Sequence, residues 1–250
     1  MPLPADPPLP NRTHIRMTPD LPASRPRLAL FDLDHTLLPL DSDYEWGEFT
    51  IRIGWNDRTE FGRRNKEFYD HYVAGTLNVH DYVRFAVDAA RQRGPEAAAA
   101  AHAQFMSEVI GPAILPQALD LLRTHQGAGD EIVIITATNE FVTAPIARAL
   151  GVEQLLAVEL ERDGSGWITG GIRGVPSMRE GKVQRMEQWL SARGWTWSDV
   201  ESTFYSDSMN DVPLLEKVDH PVATNPDPRL RALAQQRGWR ILDLFSTPTP

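Results

Sequence analysis

The stretch Arg27-Leu-Ala-Leu-Phe-Asp-Leu-Asp34 joins four consecutive apolar residues to two aspartates that are separated by one leucine. The apolar residues have no helical spacing, and an unbroken run of this kind is typical of a strand that is buried on both faces. Strands buried on both faces occur in parallel sheets that are covered by helices. The stretch therefore predicts a central parallel strand that ends in acidic residues.

Further strand patterns follow along the chain, and helical patterns separate them. The strand patterns are 131–136, 202–207 and 218–224, and the helical patterns are 116–125, 140–150, 182–193 and 228–237. This alternation predicts an α/β fold with a doubly wound parallel sheet. Residues 158–170 predict a β-hairpin that turns at Asp163-Gly164.

The segment from Pro39 to Gly129 interrupts the alternation, and its patterns are helical: 43–54, 58–74, 79–93 and 95–110. We therefore predict an all-helical cap over 40–125, inserted into a catalytic core made of 27–39 and 126–250. Residues 1–26 hold eight of the twenty prolines. Because proline fixes φ and lacks a donor, they predict a flexible N-terminal arm.

Composition excludes several classes of protein. The 250 residues carry a formal net charge of −9 and include no cysteine, which excludes disulfides, thiolate nucleophiles and cysteine zinc sites. The acidic balance argues against nucleic acid or an anionic membrane as partner. No apolar run approaches the roughly 20 residues that span a bilayer, and the proline-rich start lacks a secretion pattern. We expect a soluble cytoplasmic protein, and its oligomeric state is not predicted.

Acidic, amide and hydroxyl side chains stand at the carboxyl ends of three predicted strands, where open parallel sheets bind their ligands. These residues are Asp32, Asp34, Thr136, Asp207, Asn210 and Asp211. Alternate strand residues point to the same side, so Asp32 and Asp34 project together. A lone strand-end aspartate usually caps a turn, but clustered carboxylates need a cation, and oxygen ligands suit Mg²⁺. The pattern predicts a magnesium site beside a phosphate.

Two further residues fit such a site. Lys182 begins a helix whose buried stripe is Val183, Met186 and Leu190, so its ammonium group is expected to point into the pocket as a fixed positive charge. The Thr136 hydroxyl is expected to donate to a phosphate oxygen. Taken alone, Lys182 would be an ordinary surface lysine and Thr136 an ordinary strand threonine.

Four motifs in order resemble those of the haloacid dehalogenase-like superfamily. Phe31-Asp-Leu-Asp-His-Thr-Leu-Leu38 resembles its first motif, Asp-x-Asp-x-Thr; Ile134-Ile-Thr136 resembles the second, Lys182 the third, and Ser206-Asp-Ser-Met-Asn-Asp211 the fourth. The helical insert is similar to the cap of the phosphoserine-phosphatase-like branch, which includes some histidinol phosphatases. The resemblance covers residues 27 to 244.

The resemblance implies a phosphatase mechanism. Asp32 would be the nucleophile that forms an aspartyl-phosphate, and Asp34 the general acid and base. Thr136 and Lys182 would hold the phosphoryl group. Mg²⁺ would bind the carboxylates of Asp32 and Asp207 and the main-chain carbonyl of Asp34. Asn210 and Asp211 would support the phosphate and Lys182.

The segment after the first motif bears on the substrate, which is expected to be a small phosphorylated metabolite. Asp41, Asp43, Glu45 and Glu48 alternate with Tyr44 and Trp46. A helix N-terminus favours acids through its dipole, which accounts for part of this pattern. The functional interpretation is a site for a cationic amine or imidazole that includes Asp41, Asp43 and Trp46.

That interpretation places histidinol phosphate ahead of phosphoserine, because phosphoserine also carries a carboxylate that calls for a well-placed arginine. Arg52, Arg63, Arg64 and Arg84 are available, but none lies in a diagnostic motif. The first motif also has His35 where phosphoserine phosphatases usually have serine. An inactive scaffold of the same fold that binds a partner is the alternative outside enzymes.

Overall fold

A computed structural model describes residues 25–245, so most of the predicted arm over 1–26 lies outside the described residues. The described residues form a parallel sheet of six strands, which are β1 Arg27–Phe31, β2 Glu131–Asn139, β3 Gln154–Val158, β6 Glu201–Ser206, β7 His220–Thr224 and β8 Arg240–Leu242. Their order in the sheet is β3-β2-β1-β6-β7-β8, which confirms the α/β prediction. A separate antiparallel pair consists of β4 Leu160–Arg162 and β5 Ile168–Ile172.

The helices before β2 are α1 Ser42–Arg52, α2 Arg58–Ala74, α3 Val79–Arg93, α4 Pro95–Phe105, α5 Gly111–Ala113 and α6 Pro116–Ala128, with a π-helical turn over Met106–Ile110. Those after β2 are α7 Glu140–Ala149, α8 Glu180–Ser191, α9 Val212–Leu215 and α10 Pro228–Arg237. Residues 197–199 and 209–211 form 3₁₀ turns. The starts of α1, α2 and α3 are set by Asp41, Asp57 and Asn78, whose side chains accept the first free N–H groups.

The central strand is buried on both faces, as its apolar run indicates. Ala29 and Phe31 belong to the apolar core on one side of the sheet, and Leu28 and Leu30 to the core on the other. Because β1 lies between β2 and β6, the chain order reverses there, and the carboxyl ends of these three strands meet at one edge.

Several elements differ from the sequence-based expectations. Strands β3 and β8 were not predicted. Strand β3 lies in the apolar residues directly before the hairpin, and β8 has only three residues. Strand β2 continues past Thr136 to Asn139, with an irregular register against β3. The hairpin exists, but its turn is longer than Asp163-Gly164, and within the turn Gly166, not Gly164, has a positive φ, at 83°.

Within residues 25–245, no single helix combines the length and the apolar composition needed to cross a bilayer. The segments Pro95–Ala113 and Pro116–Ala128 reach that length and apolar composition only when they are taken together, and they are bent by 85° with respect to each other. The division into core and cap stays a prediction, although α6, placed in the predicted cap, packs against β2.

Candidate active site

A buried lysine links two of the strand-end carboxylates. The Nζ atom of Lys182 lies 2.7 Å from Oδ1 of Asp32 and 2.6 Å from Oδ2 of Asp211, and all three side chains are at most 5% exposed. The Ser206 hydroxyl donates to the same Asp211 oxygen at 2.7 Å. Asp211 therefore holds the lysine, as the fourth motif implies, and the lysine holds Asp32.

The turn before α8 explains how Lys182 reaches this position. Arg179, which precedes the helix, has a φ of 54°, a left-handed conformation that is uncommon for residues other than glycine. At Gly181 a Cβ atom would lie 2.0 Å from the carbonyl oxygen of Pro176, so only glycine fits. This tight backbone contact places the first turn of α8 over the strand ends.

The cluster contains more acidic than basic side chains. Burial raises the pKa of Asp32 to about 7, against the attraction of Lys182 and with the repulsion of Asp211 and Asp34. Burial and the charges of Asp32 and Asp211 raise the pKa of Asp207 well above its usual value. Burial alone would lower the pKa of Lys182, but Asp211 and Asp32 outweigh it and raise this pKa. Three acids facing one lysine favour an added cation.

The donor set fits Mg²⁺, which binds through one or two carboxylates and keeps waters and phosphate oxygens as its other ligands. Asp32 and Asp207 supply two carboxylates, and the main-chain N–H of Asp207 donates to the Thr36 hydroxyl at 3.1 Å, which ties the two strand ends together. Among residues 25–245, no three histidine, aspartate or glutamate side chains form a complete metal cage. The carboxylates of Asp32 and Asp207 would hold a cation whose other ligands are water and phosphate oxygens.

Asp34 and Thr136 lie near Asp32 and Asp207 and are held by other contacts. One carboxylate oxygen of Asp34 accepts the N–H of Ser42, and the other accepts the hydroxyl of Thr138, both at 2.8 Å. The Thr136 hydroxyl oxygen accepts the N–H of Thr138 at 3.1 Å, which leaves its own proton available for a phosphate oxygen. Thr138 was not predicted as a site residue, although it stands two residues after the second motif.

Asn210 contacts α2. Its amide donates to the main-chain carbonyl of Tyr72 at the end of that helix, at 2.9 Å, and it is not among the described residues that line the cavity. The expected support of the phosphate by Asn210 stays a prediction. Arg229 makes a similar contact, to the carbonyl of Val73 at 2.9 Å.

The strand ends open into a small cavity under α1, α2 and α3, whose free volume is about 40 Å³. Its polar walls include Asp41, Asp43, Asn65 and His35, and its aromatic walls are Tyr44, Phe68, Tyr69, Tyr72 and Tyr82. No lysine or arginine occurs among the described residues that line it. The cavity is therefore acidic and aromatic, as the segment after the first motif indicates.

The two aspartates at the start of α1, Asp41 and Asp43, have different surroundings. Oδ1 of Asp41 caps the helix by accepting the N–H groups of Asp43 and Tyr44, at 3.0 and 2.9 Å, so the helix-terminus interpretation holds for this oxygen. Asp43 accepts a hydrogen bond from the amide of Asn139 at 3.3 Å, and the Tyr82 hydroxyl lies near it. Burial raises the pKa of Asp43 to about 7, against the stabilising effect of the Tyr82 and Asn139 donors and with the repulsion of Asp34.

Tyr72, Tyr82 and Asn139 were not found from the sequence. Asn139 carries a recognisable signal, because it is the N-cap of α7 and accepts the N–H of Val142. The tyrosines lie in no motif and reach the cavity only through the packing of α2 and α3. His35 lines the cavity with a left-handed φ of 56°, and its buried Nε2 has no hydrogen-bond partner among the described residues.

The structure corrects the expectation for Trp46, which does not line the cavity. Its side chain is 1% exposed and packs within an aromatic cluster of the core. The cluster consists of Phe49, Trp55, His102, Phe105 and Phe141. Its buried face follows from the helical spacing of Trp46 and Phe49 on α1.

We expect Trp46→Ala to lower the free energy of unfolding by about 3–5 kcal/mol, because it empties a filled aromatic site. Urea unfolding would measure the change, with the half-exposed Val73→Ala as control, for which a loss below about 0.5 kcal/mol is expected. A Trp46 variant of unchanged stability and weakened substrate binding would restore the original interpretation.

Comparisons with known proteins agree with the motifs. The family model described as haloacid dehalogenase-like hydrolase matches residues 29–216. The chain is 41% identical over 217 residues to a histidinol-phosphatase of Neisseria meningitidis serogroup C (strain 8013), covering 86% of this chain and 98% of that protein. It is 32% identical over 263 residues to the phosphoserine phosphatase SerB1 of Mycobacterium tuberculosis, covering 96% of this chain and 82% of that one.

A solved structure is also similar. The crystal structure of a protein of unknown function from Bordetella pertussis Tohama I superposes with a TM-score of 0.83 at 51% sequence identity. The match covers 89% of this chain and all of that one, so the two share the complete fold.

Proposed function

The chain belongs to the haloacid dehalogenase-like hydrolase family and is a phosphatase, and from this premise we propose that it hydrolyses histidinol phosphate with Mg²⁺ through an aspartyl-phosphate on Asp32. One observation carries the choice of substrate: the cavity beside the candidate nucleophile has acidic and aromatic walls and no cation among its described lining.

The first half-reaction transfers the phosphoryl group to the protein. A carboxylate oxygen of Asp32 attacks phosphorus, the ester P–O bond breaks, and protonated Asp34 gives its proton to the leaving alcohol. Charge decides whether this is feasible, since the phosphate dianion, Asp32 and Asp207 carry −4. Lys182 supplies +1 through its contact with Asp32, and Mg²⁺ would supply +2 as a Lewis acid.

The second half-reaction restores the enzyme. Asp34 takes a proton from a water molecule, the water oxygen attacks phosphorus, and the bond to Asp32 breaks to release inorganic phosphate. The two hydrogen bonds that Asp34 accepts, from Ser42 and Thr138, fix its carboxyl group for both transfers. The Thr136 hydroxyl is available to a phosphoryl oxygen throughout.

The cavity favours a cationic substrate over a carboxylate. The amine and imidazole of histidinol phosphate complement Asp41 and Asp43, whereas the carboxylate of phosphoserine would meet these acids without a counter-ion. A buried charge without a partner costs several kcal/mol. The arginines considered earlier do not line the cavity: Arg52, Arg63 and Arg84 pair with acids of the surface, and Arg64 lies over the ring of Phe85.

Phosphoserine remains the second candidate, because the chain is 32% identical to a phosphoserine phosphatase over nearly its whole length. The same cavity argues against it, because its described lining supplies no cation for the substrate carboxylate.

Parallel assays of the two esters test the proposal. With Mg²⁺ we expect kcat/KM for histidinol phosphate to exceed that for phosphoserine by at least about 100-fold, the equivalent of an unpaired carboxylate. Chelation by EDTA should remove the activity, and added Mg²⁺ should restore it. A preference for phosphoserine would reverse the assignment, and failure to hydrolyse even p-nitrophenyl phosphate would favour the inactive scaffold.

A further inference from the structure

Asp43, the second aspartate at the start of α1, is held in a way that its role in the helix does not explain. It stands in the first turn of α1, it is 5% exposed, and it lines the cavity. The amide of Asn139, from the end of β2, donates to it at 3.3 Å, and the hydroxyl of Tyr82, from α3, lies near it. Groups from two other segments therefore approach this carboxylate, whereas Asp41 is occupied at Oδ1 by capping the helix.

The surroundings of Asp43 suit a flat group that carries N–H donors. The rings of Phe68, Tyr69 and Tyr72, all on α2, line the same cavity. Aromatic faces attract a planar cation, and a carboxylate accepts its N–H in a hydrogen bond strengthened by charge. An aliphatic ammonium group would use the carboxylate but gain less from the rings.

We propose that Asp43, oriented by Tyr82 and Asn139, is the specificity-determining residue that accepts the ring N–H of a nitrogen heterocycle on the substrate. The inference rests on the proposed function and deepens it, because it assigns the imidazole and the amine to different acids. The imidazole lies against the aromatic wall of α2 and binds Asp43. Oδ2 of Asp41, which accepts no hydrogen bond from the described residues, remains for the amine.

The division of roles can be tested with three substrates. Histidinol phosphate has the ring and the amine, phosphoethanolamine has the amine without the ring, and p-nitrophenyl phosphate has neither ring N–H nor amine. For Asp43→Asn we expect KM for histidinol phosphate to rise about 10- to 100-fold with little change in kcat, because one charged hydrogen bond is lost. The kcat/KM values for the other two substrates should change less than about threefold.

Two variants serve as controls. Glu45→Gln makes the same charge change on the same helix at a residue that is not among the described cavity lining, and it should leave all three substrates unaffected. Tyr82→Phe removes only the hydroxyl that orients Asp43 and should raise KM for histidinol phosphate alone, by a few-fold. It also tests the proposal should Asp43→Asn fail to fold.

The outcomes separate this inference from the function on which it rests. If the wild-type enzyme does not prefer histidinol phosphate, the proposed function fails. If the wild type prefers it but both Asp43→Asn and Tyr82→Phe retain its KM, the function stands and the role of Asp43 is wrong. An equal loss of kcat/KM with all three substrates would make Asp43 a structural residue and would also overturn the inference.

Discussion

Asp32→Asn is expected to lower kcat by at least about 10⁴-fold and to prevent formation of a phosphoenzyme, because an amide cannot serve as the nucleophile. The substitution keeps the shape of the side chain, and Lys182 retains its contact with Asp211 at 2.6 Å. It also removes the negative charge of Asp32, one of the three acids that face Lys182. We therefore expect the metal-free variant to be no less stable than the wild type.

Rapid quenching after mixing with ³²P-labelled substrate would measure the phosphoenzyme, and urea unfolding would verify the fold. Asp34→Asn is the matched control, since it makes the same change two residues away in the same motif. With p-nitrophenyl phosphate, whose leaving group needs no proton, this control should accumulate the phosphoenzyme because the water step is slowed. Retained turnover in Asp32→Asn would exclude Asp32 as the nucleophile.

Lys182→Met is expected to have the second large effect, and it should act on both stability and catalysis. Lys182 is buried between Asp32 and Asp211, so its removal leaves two carboxylates without their counter-ion. Breaking a buried ion pair from one side costs about 3–5 kcal/mol. Turnover should also be lost, because the fixed positive charge beside the phosphoryl group is gone.

A combined variant separates the two effects. Adding Asp32→Asn and Asp211→Asn to Lys182→Met removes the uncompensated charges, so we expect most of the lost unfolding free energy to return while activity stays absent. Urea unfolding and p-nitrophenyl phosphate hydrolysis would be measured on both variants. A single variant Lys182→Met with wild-type stability would contradict the buried cluster, and one with wild-type turnover would contradict its role.

The catalytic end of the site could be predicted because its signals are local. The run of Leu28 to Phe31 indicates a buried strand, and the acids that follow it must lie at the carboxyl end of the sheet. The contact between Lys182 and Asp32 depends on a turn in which only Gly181 fits. The order of the four motifs nevertheless indicated Lys182. In the structure Lys182 contacts Asp32 and Asp211, and the catalytic roles of these residues stay a prediction.

The walls of the cavity could not be predicted in the same way. Which helix faces turn toward the site depends on how α1, α2 and α3 pack, and neither Tyr72 nor Tyr82 lies in a motif. Trp46 was assigned to the substrate by its residue type, although its spacing with Phe49 indicates an apolar stripe that packs into the core. Asn210 has the position of a motif residue, but its amide is used by a carbonyl of α2.

The contact between Asn210 and the carbonyl of Tyr72 has a consequence for each catalytic cycle, because it ties the end of α2 to the turn that follows β6. Helix α2 forms one wall of the cavity through Phe68, Tyr69 and Tyr72. A movement of α2 that widens the cavity for substrate or product therefore strains this contact. Asn210 adjoins Asp211, the partner of Lys182, so the same movement is transmitted to the buried charged cluster.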